Sequence, residues 1–122
     1  MIKKYSLVFI ALLCPFFYGF GQYSGNGTFI KITSLAELTD GYYVITNESD
    51  AFLMTNGRSG TATTGYFISS SVTPSSGSIT NPSTTNVWKI ETNGSGRTIY
   101  NEDISKYVGY VSGNSASIED VP

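Results

Sequence analysis

The sequence predicts an all-β protein, and three observations carry that prediction. Tyr, Phe, Ile and Val supply much of the apolar content, and such side chains suit a pleated, half-buried surface. Gly, Ser, Thr and Asn are plentiful between them, the composition of tight turns. Apolar residues come in short runs bounded by these turn formers, and helical spacing is scarce.

The N-terminal segment is of another kind. Met1-Ile2-Lys3-Lys4 carries two lysines, and a nearly unbroken apolar run without charge extends from Leu7 to Phe20. Gly19 and Gly21 are small residues two apart, the pattern a signal peptidase requires. Residues 1–21 read as a cleaved export signal, with cleavage between Gly21 and Gln22, and residues 22–122 as the secreted module. The apolar core of 14 residues falls short of the ~20 that a membrane span needs, so no membrane association is expected after cleavage. Leu13, rather than a small residue, precedes Cys14, which argues against lipid attachment there.

Cleavage changes the chemistry of what remains. Cys14 is the single cysteine and leaves with the signal, and histidine is absent throughout. The mature module therefore has no disulfide, no thiol nucleophile and no Cys or His metal ligand. Five basic side chains face nine acidic ones, a net charge of −4. Such a surface does not attract phosphates or acidic headgroups, which argues against nucleic acid as a partner. About 100 residues suffice for one small domain.

Along the chain, Thr28 to Thr33 is the first predicted strand. Ser34-Leu35-Ala36-Glu37-Leu38 follows as a capping box, with Ser34 as cap and Glu37 three residues on. Asp40-Gly41 stops it after about one turn, so a helical turn links two strands. Tyr42 to Thr46 is the second strand, and Ala51 to Thr55 follows the turn Asn47-Glu48-Ser49-Asp50. Tyr66 to Ser70 is the fourth. Ser71 to Thr85 is Ser, Thr, Gly, Pro and Asn with little apolar content and reads as a long surface loop. Asn86 to Thr92, Thr98 to Asn101 and Tyr107 to Ser112 complete the predicted strands.

Two portions of the chain echo each other. Phe29-Ile30-Lys31-Ile32 matches Val87-Trp88-Lys89-Ile90, and Val44-Ile45-Thr46-Asn47-Glu48 matches Thr98-Ile99-Tyr100-Asn101-Glu102. Phe52-Leu53 then matches Tyr107-Val108. A single copy of such a unit cannot bury its own apolar face, so copies must pack together. The expected architecture is β-trefoil-like, with about two of three four-stranded lobes present, and so a fragment of a longer protein. Two copies closing into a smaller sandwich is the alternative.

Lys31-Ile32-Thr33-Ser34-Leu35 and Leu38-Thr39-Asp40-Gly41-Tyr42-Tyr43-Val44-Ile45 resemble the opening of an N-terminal β-repeat module of secreted Bacteroidetes multidomain proteins. Trp88-Lys89-Ile90, Thr98-Ile99-Tyr100-Asn101 and Lys106-Tyr107-Val108-Gly109-Tyr110 resemble its next repeat. The resemblance spans essentially the whole mature chain. It implies a non-catalytic accessory role beside a downstream domain of the same protein, such as a nuclease or lamin-tail domain.

The residues themselves point away from catalysis. Without His or Cys, the usual nucleophile–base pairs and zinc sites are missing, and no glycine-rich phosphate loop precedes a helix. Glu48, Asp50, Glu102 and Asp103 are candidate carboxylates by type, yet all lie in hairpin turns where such residues are common. The same turns lack the spacing of a calcium loop. No catalytic residue, metal or cofactor is expected. The sequons at Asn26, Asn47 and Asn93 are unremarkable in a chain this rich in Ser, Thr and Asn.

Glycan binding is the functional expectation. Tyr42, Tyr66, Tyr100 and Tyr110 are candidates to stack on sugar rings, because alternation turns some strand tyrosines away from the core. Asn47 and Asn101 are candidates to bond sugar hydroxyls. Trp88 is assigned to the core, and the Gln-x-Trp signature of ricin-type lectins is absent; Asn86-Val87-Trp88 is the nearest approach. The expected protein is a secreted non-catalytic module that binds a glycan or extracellular polymer, or serves a neighbouring domain. A structural or adhesive surface module, and the N-terminal part of an exported hydrolase, are the alternatives.

Overall fold

The all-β class that the composition predicts is present in a computed structural model that describes residues 21–61, 63–112 and 115–122, with nine antiparallel strands among those residues where the sequence predicts seven. Residues 1–20, which carry nearly all of the predicted export signal, lie outside the described residues. The strands are β1 (Thr28–Ile30), β2 (Gly41–Val44), β3 (Phe52–Gly60), β4 (Gly65–Ser71), β5 (Ser78–Thr80), β6 (Val87–Asn93), β7 (Gly96–Asn101), β8 (Lys106–Ser112) and β9 (Ser115–Glu119). They form a five-stranded sheet in the order β2-β6-β7-β8-β9, a β3–β4 hairpin and a β1–β5 pair. The fold is all-β.

The helical turn predicted after Ser34 is a single 3-10 turn, Leu35–Glu37. The Glu37 carboxylate accepts from the backbone N–H groups of Thr33 and Ser34, as a capping-box acid does. These bonds hold its carboxyl below the ordinary value.

Several element boundaries differ from the sequence reading: β1 ends at Ile30 rather than Thr33, and β2 at Val44 rather than Thr46. The segment from Ser71 to Thr85 is not all loop: Ser78–Thr80 forms β5, which pairs with β1 through Thr28↔Thr80, Phe29↔Ile79 and Ile30↔Ser78. A strand this short and polar has no pattern of its own, and it exists because β1 offers an edge. Strand β3 runs on past Thr55 to Gly60, across a register shift between Met54 and Arg58. Gly60 ends it at φ +92°, where a Cβ would meet the Thr64 carbonyl, a backbone state open to glycine. Strand β9 adds a further hairpin after β8, with Val108↔Ile118 and Tyr110↔Ala116.

Among the described residues Leu53, Val87, Trp88 and Ile90 are the buried apolar side chains of the core. Trp88 is fully enclosed, donates from Nε1 to the Met54 carbonyl at 3.2 Å, and meets the Phe67 ring edge-on at 5.3 Å. This contact joins the five-stranded sheet to the β3–β4 hairpin. The indole N–H is satisfied, so the whole ring can be buried without a polar penalty.

The two Asn-Glu turns are built alike. Asn47 Oδ1 accepts from the N–H groups of Ala51 and Phe52, both at 3.0 Å, and Asn101 Oδ1 accepts from Ile104 N–H at 3.2 Å. Each turn leaves through a left-handed residue: Asp50 at φ +54°, two residues before β3, and Ser105 at φ +52°, next to β8. Pairing then diverges. Strand β6 pairs directly with β7, Lys89↔Tyr100 and Ile90↔Ile99, whereas β2 pairs with β6 and β1 with β5. Between β1 and β2 lies an open cleft of about 500 Å³, lined by Ile30, Ile32, Leu38, Val44, Ile45 and Ile79 among others.

Candidate functional site

Alternation along β6 decides where the candidate site lies. Trp88 and Ile90 point into the core, so Lys89 between them points to the opposite face of the sheet. Residues directly opposite each other on paired strands share a face. The registers Tyr42↔Lys89, Lys89↔Tyr100, Tyr100↔Tyr107 and Tyr107↔Glu119 therefore set one row across all five strands. Three tyrosines, one lysine and one glutamate stand in line on the face opposite Trp88, a face that also carries the buried Val87 on β6 and Ser117 on β9.

The row is ordered by its neighbours. The Tyr100 and Tyr107 rings lie 4.7 Å apart with 48° between their planes. Tyr23 packs beside Tyr42 at 6.3 Å and anchors its own hydroxyl by donating to the Pro82 carbonyl at 2.7 Å. Tyr42 donates its hydroxyl to Glu102 at 2.7 Å. Burial and then that carboxylate push the phenol up to about 12, so Tyr42 is a fixed donor at neutral pH. Lys89 pairs with Glu91 at 2.8 Å, and its value is raised by that bond first and by the Glu91 and Glu102 charges after it.

At the far end, Gly109 on β8 sits opposite Ser117 on β9. Ser117 Oγ donates to Glu119 Oε1 at 2.7 Å, and a Cβ on Gly109 would collide with both side chains. Bare backbone there is what lets the Glu119 carboxylate lie across the strand. Glu119 itself is exposed.

Charge on this face is one-sided. Among the described residues Lys31 pairs with Asp50, Arg97 with Asp40, and Lys106 with Asp120. Arg58 donates through Nη2 to the Thr61 and Ala116 carbonyls and stacks over Phe67 at 4.9 Å, with Nε and Nη1 buried and unpartnered among the described residues. With Lys89 held by Glu91, Glu102 and Glu119 form no ion pair among the described residues.

Of the residues singled out from sequence, Tyr42 and Tyr100 share this row. Tyr66 on β4 and Tyr110 on β8 are strongly exposed, at 60% and 79%. Tyr110 pairs with Ala116 three residues from Tyr107 and so faces the other side of the sheet. Asn47 lies in an exposed turn with its amide committed to that turn. Asn101 is fully buried: its Nδ2 donates to the Val87 carbonyl at 3.0 Å, and its Oδ1 also accepts from Asn56 Nδ2 at 3.0 Å. It has no surface to offer a ligand, which corrects its assignment as a contact. Sequence reasoning missed Tyr107, Lys89, Glu119 and Tyr23. For Lys89 the signal was present, since Trp88-Lys89-Ile90 alternates.

Two of the turn carboxylates are held by other side chains. Asp50 accepts from Lys31 and Thr46, and Asp103 from Asn56 and Thr84. Among the described residues no three acidic side chains converge as a metal-ligand set. No family model, curated protein or solved structure matches this chain.

Proposed function

We propose that the mature chain is a secreted, non-catalytic module that binds a glycan or related extracellular polymer on the Tyr42–Tyr100–Tyr107 face. The observation that carries this reading is the cross-strand row itself, half-buried aromatic rings held between fixed polar groups on the side of the sheet away from Trp88. Aromatic rings provide flat apolar platforms at low entropic cost, and flanking carboxylates and hydroxyls accept hydrogen bonds from sugar hydroxyls. Retention on insoluble polysaccharides tests it. Tyr100→Ala and Tyr107→Ala should each weaken retention by about tenfold, with Tyr110→Ala, on the opposite face, unchanged. Equal, negligible retention of all forms on every polymer would favour a structural or adhesive role instead.

We further propose that β1–β4 and β6–β9 are two lobes of a trefoil-like arrangement, in an accessory module of the secreted Bacteroidetes type carried beside a downstream domain. The matching turns at Asn47 and Asn101 support this, as does the apolar cleft between β1 and β2, which a third lobe would fill. The coding sequence past Pro122 tests it: a third strand–turn–strand copy supports the arrangement, and an immediate stop codon counts against it. N-terminal sequencing of exported protein should begin at Gln22.

A further inference from the structure

We infer that the tyrosine face selects cationic amino-sugar polymers, such as deacetylated glucosamine chains, over neutral and uronic-acid polymers; this rests on the glycan reading above. The argument is charge complementarity at named positions. Among the described residues the one cation on the face, Lys89, is paired with Glu91 at 2.8 Å. Glu119 closes one end of the row, exposed and bonded only to Ser117 Oγ among the described residues. Glu102 sits two residues beyond Tyr100 on β7, with its Oε1 accepting from Tyr42. The Tyr42 hydroxyl is thus committed to Glu102, and the charge that the row carries beside the Tyr100–Tyr107 pair is the carboxylates of Glu102 and Glu119. Acceptor-only groups of one sign favour a ligand rich in N–H donors and positive charge, and they oppose a carboxylate-bearing sugar. An ammonium on each sugar would meet these oxygens while the ring lies on the tyrosines.

The test uses the whole mature chain on four solid polymers: deacetylated glucosamine polymer, its N-acetylated counterpart, a neutral glucan and a polyuronic acid. Retention on the deacetylated polymer should exceed that on the acetylated one by about three- to tenfold. The difference should shrink near 1 M salt, where screening acts within about 3 Å. Glu119→Gln and Glu102→Gln keep shape and remove charge, and each should lower the ratio of retention on the deacetylated polymer to retention on the acetylated one. Glu48→Gln removes the same charge from a distant exposed turn and should leave the preference intact. Equal retention on acetylated and deacetylated polymers overturns this inference alone, as does a Glu48→Gln effect as large as that of Glu119→Gln. No retention on any polymer overturns the glycan reading and this inference together. Thermal unfolding of each variant confirms that it remains folded.

Discussion

The two halves of the chain place matched residues in opposite environments. Ile30 and Trp88 occupy the same position in the sequence echo, yet Ile30 is 77% exposed and Trp88 fully buried. Ile32 and Ile90 differ likewise, at 38% and 7%. The cause is pairing. Strand β6 lies between β2 and β7 and presses its inner face onto the β3–β4 hairpin, whereas among the described residues β1 pairs with β5 alone and borders an open cleft. A strand is stabilised by cross-strand and cross-layer neighbours rather than by its own residues. Matched positions thus differ in burial where their neighbours differ.

The largest expected effect comes from exchanging the matched pair. Trp88→Ala should cost about 3–5 kcal/mol, and Ile30→Ala no more than about 0.5 kcal/mol, both read from urea denaturation midpoints. Similar losses at the two positions would mean that β1 is covered in solution. The turns provide a second contrast. Asn101→Ala strands the Val87 carbonyl and the Ile104 N–H in a buried site and should cost about 2–3 kcal/mol. Asn47→Ala opens the same turn to water and should cost about 0.5–1 kcal/mol.

A third test concerns the site. Gly109→Ala forces Glu119 and Ser117 off the strand, so it should weaken retention on amino-sugar polymer by about as much as Glu119→Gln does. Its stability cost should stay near 1 kcal/mol.

The smallest effect is on pH. Glu37, Asp40 and Asp50 have lowered values, caused first by the Thr33 amide, the Thr92 hydroxyl and the Lys31 ammonium respectively. A lowered carboxyl stabilises the fold above its unfolded value and ceases to do so as pH falls through its folded one. Tyr42, pushed up to about 12, and Lys89, raised above 10.5, act in reverse: their contribution is full at neutral pH and lost as pH rises through the raised values. Thermal midpoints should therefore form a plateau from about pH 4 to about pH 10 and fall on both sides. A midpoint that dropped between pH 5 and 8 would contradict these assignments.

Part of the candidate face was legible in the sequence. Tyr42 and Tyr100 were found because each stands in a strand with an apolar neighbour on the opposite parity. Tyr66 and Tyr110 satisfy the same local rule and land elsewhere, because alternation assigns a side of a strand and not which strands lie together. Lys89 could be read as outward-facing, but its place between two tyrosines depends on β2 and β7 lying on either side of β6. Asn101 read as a turn residue and is one; that it is buried while Asn47 is exposed depends on Asn56 and Val87, far off in sequence.

By itself, the sequence determined that the chain is all-β, with strands led by aromatic and branched residues and with Asn-Glu turns whose side chains hold the backbone. These are local preferences, and local chemistry suffices to set them. Tertiary structure alone decided that Ser78–Thr80 is a strand, that β2 joins β6 instead of β1, and that Tyr42, Lys89, Tyr100, Tyr107 and Glu119 form one row. Such facts depend on contacts between residues tens of positions apart, where the competing pairings use nearly identical strands and differ only in what each one buries.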